Sequence, residues 1–251
     1  MSVRTMLGAA ALALAALPLS GAIGQQAGGN WLATVAATDG GHRIGNPDAK
    51  VKLTEFVSYT CPHCAAFTRE SEGVLKVGYI QPGNVSVEVR HLIRDPVDLT
   101  VAMLVNCGPT DKFPGNHDAF MLGQDEWIAP LAKMTAAQRQ RWTTGDGASR
   151  RRAIASDFRL YEIMERRGYS RPEADRCLAD EATARELAEN SAKDWSFPAS
   201  AARRASRSTA WSCPAPMSGR RWNGRSRSSF KHLSACLAVE TAGVRFYRSG
   251  R

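Results

Sequence analysis

The chain has 251 residues, 43% of them hydrophobic, and a formal net charge of +9. Residues 198–251 contain eleven Lys or Arg and one acid, Glu240, which gives +10, whereas residues 1–197 contain 22 Lys or Arg and 23 acids, which gives −1. The high isoelectric point is therefore a property of the tail alone, and charge gives no reason to assign nucleic-acid binding to the rest of the chain.

The N-terminus has the pattern of a secretory signal peptide. Arg4 precedes an apolar run over residues 7–19, and small residues follow at 21–24. We predict a signal peptide over 1–24 and an N-terminal extension over 25–44. No later stretch reaches the length of a membrane span, so the sequence predicts a soluble mature protein. The signal peptide predicts export, and the Cys-x-x-Cys at 61–64 suits an oxidising compartment, the periplasm.

Residues 51–64 predict a buried strand that leads directly into a Cys-x-x-Cys at the start of a helix. β-prone residues precede Cys61, and apolar positions after it are spaced for one helix face. The N-terminus of a helix offers unpaired backbone N–H groups and the positive end of the helix dipole, which both favour a thiolate. We therefore predict a low pKa for Cys61, with Cys64 as the resolving thiol.

The residues between the two cysteines support this interpretation. Pro62 has a fixed φ that suits a first helical turn. His63 can add a donor, and a positive charge when protonated, near the Cys61 sulfur, which would make the disulfide more oxidising. The alternatives are a zinc half-site and an unreactive disulfide. A zinc site would require further ligands at suitable spacing, and the sequence has no second Cys-x-x-Cys and no His-x-x-x-His.

From Gly45 onward the chain resembles the DsbA-like branch of the thioredoxin superfamily. The resemblance is carried by Gly45–Ala49, by Glu55 and Phe56 on the strand, and by Tyr59-Thr60-Cys61-Pro62-His63-Cys64. It covers about 45–197 and implies an α/β thioredoxin fold with an inserted helical domain, and catalysis of disulfide formation in exported proteins. By resemblance, Glu55 matches the family's buried acid and would carry protons to or from Cys64. The alternative for Glu55 is a solvated edge position, because strand alternation leaves its face open.

The predicted organisation after the signal peptide and extension has three parts. Residues 45–95 form the first half of the thioredoxin fold, with a second strand over 84–93. Residues 96–195 form the helical insert, where Ser170 and Glu173 predict a capping box at the start of a helix that runs on through Leu187. Within the insert, Cys107 and Cys177 are candidates for a structural disulfide; the alternative is two buried free thiols.

The tail at 196–251 lacks the elements that the resemblance implies. We expect a cis-proline loop of the type Thr-Pro-Ser-Phe, further strands and a last helix, and the tail as written shows none of them. A reading of the tail one frame over permits Thr-Pro-Ser-Phe-Ala at 202–207, followed by residues typical of a hairpin and a helix start. We therefore hypothesise a frameshift between about Asp194 and Pro198, which predicts a poorly ordered basic tail.

The sequence thus favours an exported thiol:disulfide oxidoreductase that donates disulfides through Cys61 and Cys64, with no cofactor or metal. The resemblance implies reduced, unfolded exported proteins as substrates and a membrane quinone-linked thiol oxidase as the partner that reoxidises the pair. A disulfide isomerase or reductase of the same fold is the nearest alternative. A non-catalytic protein whose basic tail binds nucleic acid or anionic lipid is the alternative from another class, although we expect no nucleic-acid partner.

Overall fold

The computed structural model describes the backbone of residues 29–205, 237–241 and 244–247, and the side chains of residues 29–196. The predicted signal peptide at 1–24 lies outside these residues, and so does most of the basic tail. Within the described part, a mixed sheet is flanked by a long run of helices, which is the α/β fold with a helical insert that the sequence predicts.

The sheet is built around two parallel strands. β1 (Val35–Ala37) and β2 (Gly41–Gly45) form an antiparallel pair, and β2 continues the sheet antiparallel to β4 (Val85–His91). β4 pairs in parallel with β3 (Val51–Val57), with Leu53 opposite Val87. Parallel strands end at the same edge of a sheet. The segments that follow β3 and β4 are therefore neighbours at that edge.

The first correction concerns residues 25–44, which we predicted as an extension outside the fold. β1 and most of β2 lie in this range, and Ile44 pairs with Val87 in the middle of the sheet. The two strands are short and contain Ala, Gly and charged residues, which are weak strand formers. Their pairing with β4 is a tertiary contact that local pattern does not reveal.

Helices fill the space between and after the strands. α1 (Pro62–Leu75) follows β3 and continues into a π-helical turn over Lys76–Ile80. The helices after β4 are α2 (Pro96–Val105), α3 (Phe113–Leu122), α4 (Gln124–Ile128), α5 (Ala136–Arg141), α6 (Gly147–Asp157), α7 (Leu160–Arg166), α8 (Arg171–Ala179) and α9 (Glu181–Ala205). In the described part of the chain, none of the helices combines the length and apolar content needed to cross a bilayer.

The predicted capping box at the start of α8 is present: Ser170 and Glu173 exchange side-chain and backbone hydrogen bonds. The prediction that this helix continues through Leu187 is wrong. Asp180 has an extended backbone, and its carboxylate accepts the N–H groups of Ala182 and Thr183. Asp180 thus ends α8 and caps α9, because aspartate competes well for the free N–H groups of a helix start.

The insert shares one core with the sheet. The strand residues Leu53 and Val87 belong to the same hydrophobic core as the insert. The largest fully buried side chains are Tyr59, Met103, Leu104, Phe113, Phe120, Met121, Gln124, Ile154, Phe158, Leu160, Met164 and Leu178. Cys107, just after α2, and Cys177, on α8, form a disulfide with a Cα–Cα distance of 5.6 Å and a sequence separation of 70. The disulfide links the end of α2 to α8 within the insert.

The second correction concerns the tail. β5 (Leu237–Thr241) pairs antiparallel with β3, and β6 (Val244–Tyr247) pairs antiparallel with β5, so the strand order is β1-β2-β4-β3-β5-β6. We predicted that the tail as written supplies no such strands. β-branched and aromatic residues do occur at alternate positions in these two segments, and the open edge of β3 offers them a partner. The predicted boundary of the insert at 195 is wrong, since α9 runs to Ala205. Residues 206–236, which hold most of the segment that the frameshift hypothesis concerns, lie outside the described residues.

Candidate active site

Cys61 lies at the junction of strand and helix that the sequence predicts. It is the N-cap of α1, with an extended backbone (φ −93°, ψ 112°), and Pro62 occupies the first helical position. Its carbonyl accepts the Ala65 N–H, which closes the first turn. Cys61 and Cys64 are both free thiols and both partly exposed, one helical turn apart.

The pKa values of the two thiols are shifted in opposite directions. The pKa of Cys61 is lowered to about 5, chiefly by the hydrogen bond from the Cys64 thiol, then by the backbone N–H groups of Cys64 and His63 and by the charge of Arg94, while burial acts against it. The pKa of Cys64 is raised far above that of a free thiol, because it holds its proton for the Cys61 sulfur and because it is more buried. At neutral pH the reduced pair therefore carries one thiolate, on Cys61.

The structure gives His63 a different contribution from the one expected. Pro62 and His63 are exposed, and the His63 group that favours the Cys61 thiolate is its backbone N–H. The cation that favours the thiolate is Arg94, in the segment after β4. Sequence reasoning missed Arg94 because its proximity depends on the parallel pairing of β3 and β4, which brings the ends of the two strands together.

Glu55 lies on the buried face of β3, with 7% of its surface exposed, so it does not occupy a solvated edge position. Its pKa is raised to about 7 by burial and by the charge of Asp118 on α3. The charge of Glu55 in turn raises the pKa of Cys64. Asp118 also forms an ion pair with Lys76, which pairs with Glu72 on α1. A carboxyl group that titrates near neutrality therefore lies within electrostatic reach of the resolving thiol.

Two aspartates at the start of α2 hold the segment that precedes Cys61. Asp98 is fully buried and accepts the Ser58 hydroxyl at 2.5 Å and the Tyr59 N–H at 2.8 Å. Asp95 accepts the Thr60 hydroxyl at 2.7 Å and caps α2. Burial raises the pKa of Asp98 to about 7, although its hydrogen bonds act in the opposite direction. The Asp95 capping position was the only signal in the sequence that could have indicated these contacts.

Three histidines lie where the sheet meets the insert; His91 and His117 are buried and His42 is partly buried. The His117 ring lies against Phe113, whose other neighbours are His42, stacked at a centroid distance of 3.9 Å, and His91. The Tyr59 hydroxyl bonds Nδ1 of His117 at 3.0 Å. Burial is the largest cause of the lowered pKa values of all three, to about 4 for His42, about 3 for His91 and about 4 for His117. These rings are neutral at physiological pH, and in the described part of the chain they are not grouped with other His, Cys, Asp or Glu residues as metal ligands.

Comparison with known proteins agrees with the fold and the Cys-x-x-Cys site described above. The sequence model of the thioredoxin family matches residues 37–196. The chain is similar to a crystal structure of a protein-disulfide isomerase from Novosphingobium aromaticivorans, with 42% identity and a TM-score of 0.62 over 84% of this chain and 90% of that chain.

Curated relatives match over a shorter segment. A Rickettsia conorii protein named as an inferred protein-disulfide oxidoreductase is 35% identical over 85 residues, which are 34% of this chain and 31% of that protein. A Rickettsia bellii protein of the same name is 34% identical over 85 residues, or 33% of its length. The chain therefore spans about a third of the length of these curated relatives. With the family match covering more than half of its residues, this chain belongs to the thioredoxin family.

Proposed function

We propose that this chain catalyses thiol–disulfide exchange through Cys61 and Cys64. The observation that carries the proposal is the asymmetry of the pair: a partly exposed thiol at a helix start with a pKa near 5, beside a more buried thiol that keeps its proton. An inert structural disulfide needs neither property. Nucleophilic exchange needs both, because one sulfur must be a good leaving group and the other must resolve the intermediate.

The proposed oxidation proceeds in two displacements. A substrate thiolate attacks the Cys61 sulfur, the Cys61–Cys64 bond breaks, and Cys64 leaves as a thiolate that takes up a proton. Glu55, protonated for part of the time because its pKa is near 7, can supply that proton. A second substrate thiolate then attacks the substrate sulfur of the mixed disulfide and releases Cys61 as a thiolate. The substrate loses two electrons and gains a disulfide, and the Cys61–Cys64 pair gains the two electrons.

We propose disulfide donation as the main direction. Every interaction that favours the Cys61 thiolate favours the reduced pair, and a stabilised reduced form makes the disulfide a stronger oxidant. The same site could also rearrange existing disulfides, and the similar Novosphingobium protein is titled a protein-disulfide isomerase. The two activities share the mixed disulfide at Cys61 and differ in whether Cys61 begins as part of a disulfide or as a thiolate.

The proposed setting is the periplasm. The signal-peptide pattern at 1–24 supports export, and an oxidising compartment suits disulfide donation. The substrates would be reduced, unfolded exported proteins, and a membrane quinone-linked thiol oxidase would reoxidise the pair.

We also retain the frameshift hypothesis for the segment after about Trp195, because the shifted reading restores a Thr-Pro-Ser-Phe loop in family order. The nucleotide sequence across codons 190–225 tests it directly. If those codons do not permit the shifted reading, the frameshift hypothesis fails.

The experiment is turnover of a reduced, unfolded protein with glutathione disulfide as oxidant. Cys61→Ser should abolish oxidation, and Cys64→Ser should accumulate a mixed disulfide with the substrate, visible on a non-reducing gel. The matched control is the double variant Cys107→Ser/Cys177→Ser, which removes the other disulfide and leaves the reactive pair intact.

Three outcomes would change the assignment. Undiminished oxidation by Cys61→Ser would refute it. Faster recovery of a scrambled substrate than oxidation of a reduced one would replace donation by isomerisation. Salt-dependent DNA or vesicle binding without turnover would favour the basic-tail alternative.

A further inference from the structure

Gln124 connects the helical insert to the backbone on both sides of Thr60. It is the first residue of α4 and is 1% exposed. Its side-chain amide nitrogen donates to the Tyr59 carbonyl at 2.6 Å and to the Cys61 carbonyl at 3.0 Å. A single NH₂ group thereby uses both protons on the two carbonyls that flank Thr60.

The two carbonyls belong to the segment whose conformation places the reactive sulfur. The Cys61 carbonyl also accepts the Ala65 N–H at 3.2 Å, so the Gln124 hydrogen bond falls on the peptide group that starts α1. The Tyr59 N–H is held independently by Asp98. The link from β3 to α1 is therefore fixed by insert side chains at several points, and Gln124 is the one that reaches Cys61 itself.

The direction of the backbone at Cys61 decides which donors its sulfur meets. The backbone N–H groups of His63 and Cys64 lower the pKa of that sulfur, and they lie at the start of α1, where Cys61 is the N-cap with extended dihedral angles. Rotation of the Cys61 peptide would turn the sulfur away from these groups. Loss of the Gln124 amide would leave the buried Tyr59 carbonyl without this donor, while the Cys61 carbonyl would keep the Ala65 N–H, and the unpaired carbonyl would favour such a rotation. Arg69 of α1 and Asp125 of α4 form an exposed ion pair at 3.4 Å, which places the two helices side by side next to this segment.

We propose that Gln124 is a positioning residue for the reactive cysteine, through which the helical insert fixes the Cys61 backbone and so sets the reactivity of its thiol. This rests on the proposed exchange function of the pair. It gives the insert a direct part in the chemistry, in addition to its part in the core. A displacement of α4 relative to α1 would therefore change the reactivity of the Cys61 thiol, although no atom of α4 would need to contact its sulfur.

The test is Gln124→Met, which keeps the length of the side chain and removes both donors. The rate of iodoacetamide alkylation of the reduced full chain is measured across pH, and the pair is equilibrated with glutathione. We expect the alkylation midpoint of Cys61 to move up by about one pH unit. The equilibrium should shift about tenfold toward the disulfide form, since the reduced form loses the same stabilisation. Gln140→Met is the matched control, because Gln140 is an exposed glutamine of the same insert and its side chain bonds only the nearby Thr144.

Gln124→Asn keeps the amide but is one methylene shorter, so it cannot reach both carbonyls, and it serves if the Met variant does not fold. We expect a shift in the same direction. Unchanged alkylation and glutathione equilibrium in a folded Gln124 variant would overturn the proposal, even if that variant were less stable. Neither readout requires a protein substrate, so the positioning role and the proposed function can fail independently.

Discussion

The Tyr59 hydroxyl lies 3.0 Å from Nδ1 of His117, and this contact joins the segment before the reactive cysteine to α3 of the insert. His117 and the other buried histidine, His91, lie around Phe113 together with the partly buried His42. All three rings stay neutral in the folded chain because burial lowers their pKa values. The interface that positions the active site is therefore sensitive to acid.

Replacement of His117 by Gln should make the free energy of unfolding less dependent on pH. An unfolded histidine takes up a proton below about pH 6.5, whereas folded His117, with its pKa near 4, does not. Its contribution is complete above pH 6.5 and is lost as the pH falls toward 4. Between pH 6.5 and 4.5 the loss is about 2 kcal/mol for this residue.

The measurement is urea unfolding at both pH values, with the exposed His63→Gln as control. Glu55 and Asp98 act in the opposite direction, because their raised pKa values make the folded state lose stability as the pH rises from about 4 to 7. These carboxyl groups contribute equally in wild type and variant, so their effect cancels when the two free energies of unfolding are subtracted. An identical pH dependence for the two chains would contradict a neutral buried His117.

The reduced pair should titrate as two very different thiols. Cys61 should react with iodoacetamide with a midpoint near pH 5, and Cys64 should remain unreactive until strongly alkaline pH. Mass spectrometry of the alkylated peptides assigns each sulfur. A single transition at the pH of ordinary free cysteine would show that the helix start does not activate Cys61.

Glu55→Gln should slow the attack of Cys64 on the mixed disulfide, which releases the substrate. The rate of this step should also lose its dependence on pH near neutrality. Cys64 must lose its proton before it attacks the mixed disulfide, and Glu55 can accept that proton only when ionised, above a pKa of about 7. In Asp118→Asn the inflection should move to lower pH, because the charge of Asp118 raises the pKa of Glu55.

The measurement for Glu55 is the rate of mixed-disulfide resolution against pH in a stopped-flow experiment. Glu70→Gln, which replaces an exposed acid on α1, is the control. A rate profile that keeps its inflection in Glu55→Gln would exclude Glu55 as the proton acceptor.

Arg94→Met should raise the pKa of Cys61 and make the pair a weaker oxidant, because a cation that favours the thiolate is lost. Arg94 is exposed, so the shift should be larger at low ionic strength than at high ionic strength. His63→Ala keeps the backbone N–H, and the sequence hypothesis for the ring predicts a shift in the same direction. Equilibration of both variants with glutathione separates the two contributions. An unchanged reduction potential of the Cys61–Cys64 pair in either variant would show that the replaced side chain does not stabilise the Cys61 thiolate.

Loss of the Cys107–Cys177 disulfide should destabilise the chain and leave exchange chemistry in place. A loop of 70 residues corresponds to about 4 kcal/mol in the chain-entropy model. Thermal unfolding of Cys107→Ser/Cys177→Ser should therefore occur at a clearly lower temperature, while Cys61 alkylation at low pH is retained. A stability equal to that of the wild type would show that the insert does not need this bond.

Much of the fold could be predicted because its signals are local. The strand before Cys61, the helix that begins at Pro62 and the capping box at Ser170 and Glu173 each depend on residues within one or two turns. The strands over 35–45 and 237–247 could not be predicted, since short segments of weak pattern become strands only where β4 or β3 offers an open edge.

The sequence by itself determined the reactive chemistry, a thiol at a helix start with a second thiol one turn later, because the activating N–H groups belong to the same short segment. Only the tertiary structure decided the surroundings of those thiols. Glu55 faces inward because of how β3 packs, and Arg94 acts on Cys61 because β3 and β4 are parallel. Gln124 reaches Cys61 from 63 residues away because the insert folds back onto the sheet edge. Contacts between residues so distant in the chain depend on the folded path of the backbone, which no local pattern of residues specifies.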